Sequence, residues 1–204
     1  MISDYYLPVP LRVLLRFEKW DDVLKLPEPG PKRMVGKAFW HFGRTLALLG
    51  KGERRSALEE KQVFEQARRT LPADAMWMMN SGEAVLGVAS LVLDARFTDD
   101  PKRAVEIWTR SVKAQDALAY DEPPPWYYPI RESLGAALLR LGNTDEAEGV
   151  FRECLRDNPR DARALFGLME TLKAEKKMDA AEWVRFEFES SWKNPALQLH
   201  LEDL

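Results

Sequence analysis

A spacing of 34 residues constrains this chain more than any other feature. Within residues 121–159, DEPPPWYYPIRESLGAALLRLGNTDEAEGVFRECLRDNP, a Pro-rich stop is followed by an aromatic cluster, an apolar stretch, a Gly-Asn turn and a second stretch closed by Pro159. One period further on, Leu134, Leu138 and Ala147 become Leu168, Leu172 and Ala181, and Cys154 becomes the similarly apolar Phe188. Small and large residues alternating at helical spacing let two antiparallel helices interlock, and a repeat of this length marks a stack of such pairs.

The rest of the chain fits that plan. The expected fold is all-α, a right-handed α-solenoid of about five antiparallel helix hairpins near 7–26, 32–70, 74–118, 125–157 and 161–191. These form one domain over 1–204 with a tail over 192–204. The first hairpin is short, since Pro27, Pro29, Gly30 and Pro31 stop its second helix. Leu58, Phe64 and Leu71 are expected on one side of the helix over 53–70. Residues 74–96 are the most apolar helix, with Leu86-Gly87 as a close-packing pair. Asp100 before Pro101, and Asp161, read as helix N-caps. Alternating apolar runs are absent, so no strand is expected.

Composition narrows the function. Hydrophobic residues make up 46% and charged ones 31%, which suits a folded chain, and a net charge of −3 gives no bulk field for nucleic acid or anionic lipid. No apolar run approaches the roughly 20 residues a membrane span needs. The N-terminus, MISDYYLPVPLRVLL, has no basic leader and carries two prolines where a signal peptide has its apolar core, so the cytoplasm is the default location. The single cysteine, Cys154, falls beside Phe151 on an inward helix face and reads as a buried structural thiol.

Over nearly its whole length the chain resembles the tetratricopeptide repeat family. The likeness is tight over 128–159 and good over 162–190 and 36–50, where Phe39, Phe42-Gly43 and Leu46 fill the signature slots. The stretch Tyr120 to Arg131 with Leu134 to Leu139 resembles the C-terminal part of larger bacterial proteins of that family. The resemblance implies a groove, lined by the first helix of each pair, that receives an extended peptide or a partner helix. Its positions here are Lys37, Trp40, His41 and Arg44; Glu132, Ser133, Ala136 and Arg140; and Arg163, Phe166, Glu170 and Lys173. The asparagines that clamp a C-terminal carboxylate in the best-understood subgroup are missing, while the basic positions remain suited to acidic side chains.

Several clusters have two readings. Trp126 and Tyr127, with Tyr128, are either an aromatic platform for a Pro-containing peptide or a plug in the long connection before the central repeat. Trp40, Arg44 and Lys37 share one helix face, either as a hot spot or as packing on the first hairpin. Glu83 and Arg131 occupy equivalent slots of neighbouring repeats with opposite charge, and are expected to form a partly buried ion pair. Lone His41 and His200 lack the convergent ligands of a metal site. Phosphate loops, zinc-protease helices and nucleophile elbows are absent, so neither catalytic residues nor cofactors are expected.

The leading expectation is a non-enzymatic scaffold that binds a peptide or protein segment in its groove. A groove without an accessible aromatic, or one filled by the chain's own tail, counts heavily against it. The alternatives are the terminal section of a longer solenoid, a weakly self-associating module, and a small-ligand pocket near Glu122, Trp126 and Arg131.

Overall fold

The computed structural model describes residues 8–193 and 198–204. Residues 1–7, which include the expected start of the first hairpin and part of the N-terminal stretch that lacks signal-peptide features, and residues 194–197 of the expected tail lie outside them. Among the described residues the chain is an all-α helical repeat of ten α-helices, with one 3-10 turn and a two-stranded ribbon of two residues per strand. Contacts divide it into two compact units. One comprises residues 1–97 and 113–128, the other 98–112 and 129–204.

In the first unit, α1 (Val9–Arg16) and α2 (Trp20–Lys25) form the short N-terminal hairpin, and α3 (Met34–Gly50) pairs with α4 (Arg54–Arg69). Two glycines of α3 seat the hairpin. A Cβ on Gly43 would stand 2.5 Å from the Leu11 side chain, and one on Gly50 would stand 2.6 Å from the Trp20 indole. Ala57 and Phe64 of α4 are fully buried, whereas Leu58 points outward and is 47% exposed, because 57 and 64 share a face that 58 does not.

α5 runs from Gly82 to Phe97, eight residues later than the expected start at 74. The apolar run before it folds instead into the antiparallel ribbon β1 (Met76–Trp77) and β2 (Asn80–Ser81). Met78 lies at φ 54°, which breaks any helix there. The Asn80 amide donates to Ala119 O at 3.0 Å and accepts from Ala119 N at 2.8 Å, and Asp121 accepts from Met79 N at 3.2 Å. These bonds to a distant segment hold the ribbon, and Trp77 is buried beneath it. Gly87, expected to be a close-packing position, has open space where a Cβ would project.

α6 (Pro101–Asp116) is divided between the units after Val112. Asp100 caps it, accepting from Lys102 N at 2.9 Å, with Pro101 at the first helical position where its missing N–H costs nothing.

The second unit also holds two regular pairs, α7 (Arg131–Leu141) with α8 (Thr144–Asp157) and α9 (Ala162–Ala174) with α10 (Met178–Ser191). Gly142, at φ 86°, ends α7 in the left-handed conformation that glycine adopts without strain. Asp161 caps α9 by accepting from Arg163 N and Ala164 N, each at 2.9 Å. Phe151 of α8 is fully buried between α7 and α9, with Ala147 and Cys154 on the same buried face.

Candidate functional site

The strongest site lies on α7 and α9, the first helices of the two regular pairs. On α7, positions 132, 133, 136 and 140 recur at helical spacing, and on α9 positions 163, 166 and 170 do the same.

The chain's own C-terminal segment, 198–204, is seated on these stripes. Ser133 Oγ donates to the Leu204 main-chain oxygen at 2.7 Å, Arg163 donates to Asp203 O at 2.5 Å, and Arg140 donates to Leu201 O at 3.3 Å. Leu199 and Leu204 are buried, while His200 and Glu202 between them stand in solvent. The segment turns through a single 3-10 turn, Leu201–Asp203, closed by the Asp203 carboxylate accepting from His200 N at 2.7 Å. The groups it offers to the stripes thus include the main-chain oxygens of Leu201, Asp203 and Leu204 and the buried side chains of Leu199 and Leu204.

The donors differ in setting. Ser133 and Arg163 are buried beneath the segment, and Arg140 is exposed at the edge. Glu132, expected to line the groove, is wholly buried. Phe166 is half-buried, with its ring 5.8 Å from that of Phe188 on α10. Glu170 and Lys173 pair with each other at 2.7 Å at the outer end of the stripe.

The remaining expected residues serve other ends. In the first unit, the Trp40 indole N–H donates to Leu26 O at 3.1 Å, and the Arg44 guanidinium stacks 4.7 Å from the Trp40 ring while donating to Leu24 O. Arg44 and His41 both meet Glu60, His41 Nδ1 at 2.6 Å. Burial raises the Glu60 carboxyl, but His41 and Arg44 more than offset this and hold it below the usual carboxylate range. Lys37 pairs with Glu28. This cluster fastens α3 to the N-terminal hairpin, and Trp40 also borders an apolar cleft of about 340 Å³ with Pro8, Pro10, Leu11, Pro27 and Arg33.

The aromatic platform is core. Trp126 is buried, its ring 5.6 Å from that of Phe42 and 5.9 Å from that of Phe39. Tyr127 packs edge-on to Phe39, and burial there pushes its phenol well above the ordinary range. Arg12 enters the same nest, 5.3 Å from the Phe39 ring and 5.2 Å from Trp77, and donates to Pro125 O. The Pro run delivers Trp126 into this nest, so the surface face that a platform needs is spent. Glu122 is exposed and takes the Tyr120 hydroxyl.

Each half of the expected Glu83–Arg131 pair takes a partner within its own unit. Arg68 holds Glu83 at 2.5 Å, and Arg131 reaches Glu153 at 3.1 Å. Glu83 is free to turn outward because α5 starts only at Gly82, which puts its carboxylate in water one residue into the helix.

Among the described residues no cluster of three or more His, Cys, Asp or Glu side chains is arranged to hold a metal ion, and no helix is long and apolar enough to cross a membrane. The tail contacts are the functional feature that sequence spacing missed. The signal for them was slight: Leu199, Leu201 and Leu204 in an otherwise polar end.

Consecutive antiparallel helix pairs stacked in this way define a helical-repeat architecture. Residues 130–171, which span α7, α8 and most of α9, match the family model of the tetratricopeptide repeat, and the chain carries that repeat there. Comparison with curated proteins and with solved structures returns no match.

Proposed function

We propose that the chain is a non-enzymatic interaction module that binds a peptide segment of a protein partner along α7 and α9. The observation that carries this reading is the seating of residues 199–204 on Ser133, Arg140 and Arg163, which is a peptide held by main-chain oxygens on the face the repeat presents. A filled groove weighs against one standing open for any passer-by. It also supplies a worked example of the segment this surface accepts. The tetratricopeptide repeat adds a family inclined to protein partners over small molecules or nucleic acid.

The test is selection from a displayed random-peptide library on the immobilised full chain. Enriched peptides should lose at least tenfold in affinity for the Arg140→Glu and Lys173→Glu variants, whose changes lie at exposed positions and spare the core. Peptides that bind both variants as well as the parent would place the site elsewhere.

A second reading, stacking of a further helical element or of another copy, rests on α10. Met178, Trp183 and Phe186 are 60%, 75% and 54% exposed on this helix, an unusual load for a face turned to water. Sedimentation equilibrium decides it: a parent chain that associates and a Trp183→Ser/Phe186→Ser variant that does not would favour it.

A further inference from the structure

Resting on the groove reading above, we propose that residues 199–204 are a cis-bound ligand mimic, and that the groove's partner is an acidic segment with two leucines five positions apart, which binds by displacing them.

Three observations carry this. The tail is held through its main chain at three places, Leu201 O, Asp203 O and Leu204 O, by three side chains from two helices. Main-chain recognition reads the path of a peptide and is blind to most of its sequence, so any segment that follows the same turn can take the same bonds. Selectivity then falls first to the buried side chains of Leu199 and Leu204, with the half-buried Leu201 and Asp203 and the exposed His200 and Glu202 between them.

Charge supplies the second criterion. The bound segment carries Glu202 and Asp203, and the surface that receives it presents Arg140 and Arg163. Each arginine donates to a carbonyl here, and with Lys173 the cations outnumber Glu132 and Glu170 on the two stripes, which favours a segment rich in carboxylates over a basic one. The Asp203 side chain also closes the turn through His200 N, so an acidic residue just before the second leucine has a conformational role as well.

The third observation is the tether, since the chain carries this segment on itself. Tethering raises its effective concentration to the millimolar range, which keeps a weak ligand bound in cis and yet lets a tighter or more abundant one replace it. The tail thus sets a threshold: a partner must outbind the tethered mimic.

The experiment uses fluorescein-labelled QLHLEDL, the sequence of residues 198–204, titrated by anisotropy against the full chain. The parent is compared with a Leu199→Glu/Leu204→Glu variant whose tail no longer seats, and thermal melts followed by circular dichroism confirm that both are folded. The peptide should bind the variant at least tenfold more tightly than the parent. In the variant background, Ser133→Ala and Arg140→Gln should each weaken it three- to tenfold, and a peptide with both leucines changed to serine should not bind. Equal affinity for parent and variant overturns the proposal. So does failure of the peptide to bind the variant: if library-selected peptides still bind there, the tail is a structural cap and the groove reading survives, and if they do not, both fall. A parent that sediments as a dimer and becomes monomeric in the variant overturns the cis arrangement in favour of tails exchanged between copies.

Discussion

The ring of Phe151 lies where a Cβ of Gly167 would have to be. A Cβ placed on that glycine stands 2.2 Å from the ring carbons, and one on Gly135 of α7 stands 2.6 Å away. One aromatic residue of α8 thus sits against the bare backbone of the helices on either side, where Gly135 and Gly167 leave it room.

Gly167→Ala should therefore destabilise the chain by about 1–2 kcal/mol, because overpacking outweighs the gain in helix propensity of up to about 1 kcal/mol. Gly149, on the open side of α8, has nothing within 4 Å of where a Cβ would stand, and Gly149→Ala should stabilise by about 0.5–1 kcal/mol. Urea midpoints with unchanged m-values measure both. Adding Phe151→Leu to Gly167→Ala should recover part of the loss.

Arg12→Met tests the aromatic nest. The substitution keeps volume but removes a buried guanidinium that faces two aromatic rings and donates to Pro125 O. A loss of about 1–3 kcal/mol in chemical unfolding is expected. An unchanged midpoint would mean that desolvating the charge cancels its contacts.

Acid should release one identifiable contribution. The Lys177 ammonium and then the Arg152 guanidinium bond Glu148 and hold its carboxyl down at about 2. Its folded value lies below its unfolded one, so the stabilisation is complete above about pH 4.5 and is lost as the pH falls towards 2. Lys177 is half exposed, which limits the effect to about 0.5–1 kcal/mol. The difference in stability between the parent and Glu148→Gln should narrow over that window and vanish at its acid end.

Glu83 and Arg131 should behave as independent sites. Glu83→Gln combined with Arg131→Met should be additive within about 0.5 kcal/mol, since each has its own partner. The Arg131–Glu153 cycle should show coupling of about 0.5–1 kcal/mol, because the arginine side chain is only 16% exposed.

Spacing made α7 to α10 legible, since a repeat states its own packing rule: Leu134, Leu138 and Ala147, and one 34-residue period on Leu168, Leu172 and Ala181, are all buried. Local chemistry made the caps legible, because Asp100 and Asp161 act within three residues of themselves. What escaped was whatever depends on distant partners. Met76 to Met79 look helical by apolarity alone, and only the bonds of Asn80 to Ala119 make them a ribbon. Trp126 looks like a surface platform until Phe39, Phe42 and Arg12 close around it. Trp40 and Arg44 share a face as expected, but that face meets the carbonyls of Leu24 and Leu26. The tail has no repeat period, so nothing in its own sequence announced where it would dock.

That docking has a kinetic side. The helix pairs of the second unit are neighbours in sequence, whereas the tail joins Leu204 to Ser133 across 71 positions, Leu201 to Arg140 across 61 and Asp203 to Arg163 across 40. Bonds that close such long loops form late, after the surface they need has been assembled. Loosening the tail should then leave the refolding rate of the unit nearly unchanged and raise the rate at which it comes apart, so that a few terminal residues act as its latch against unfolding.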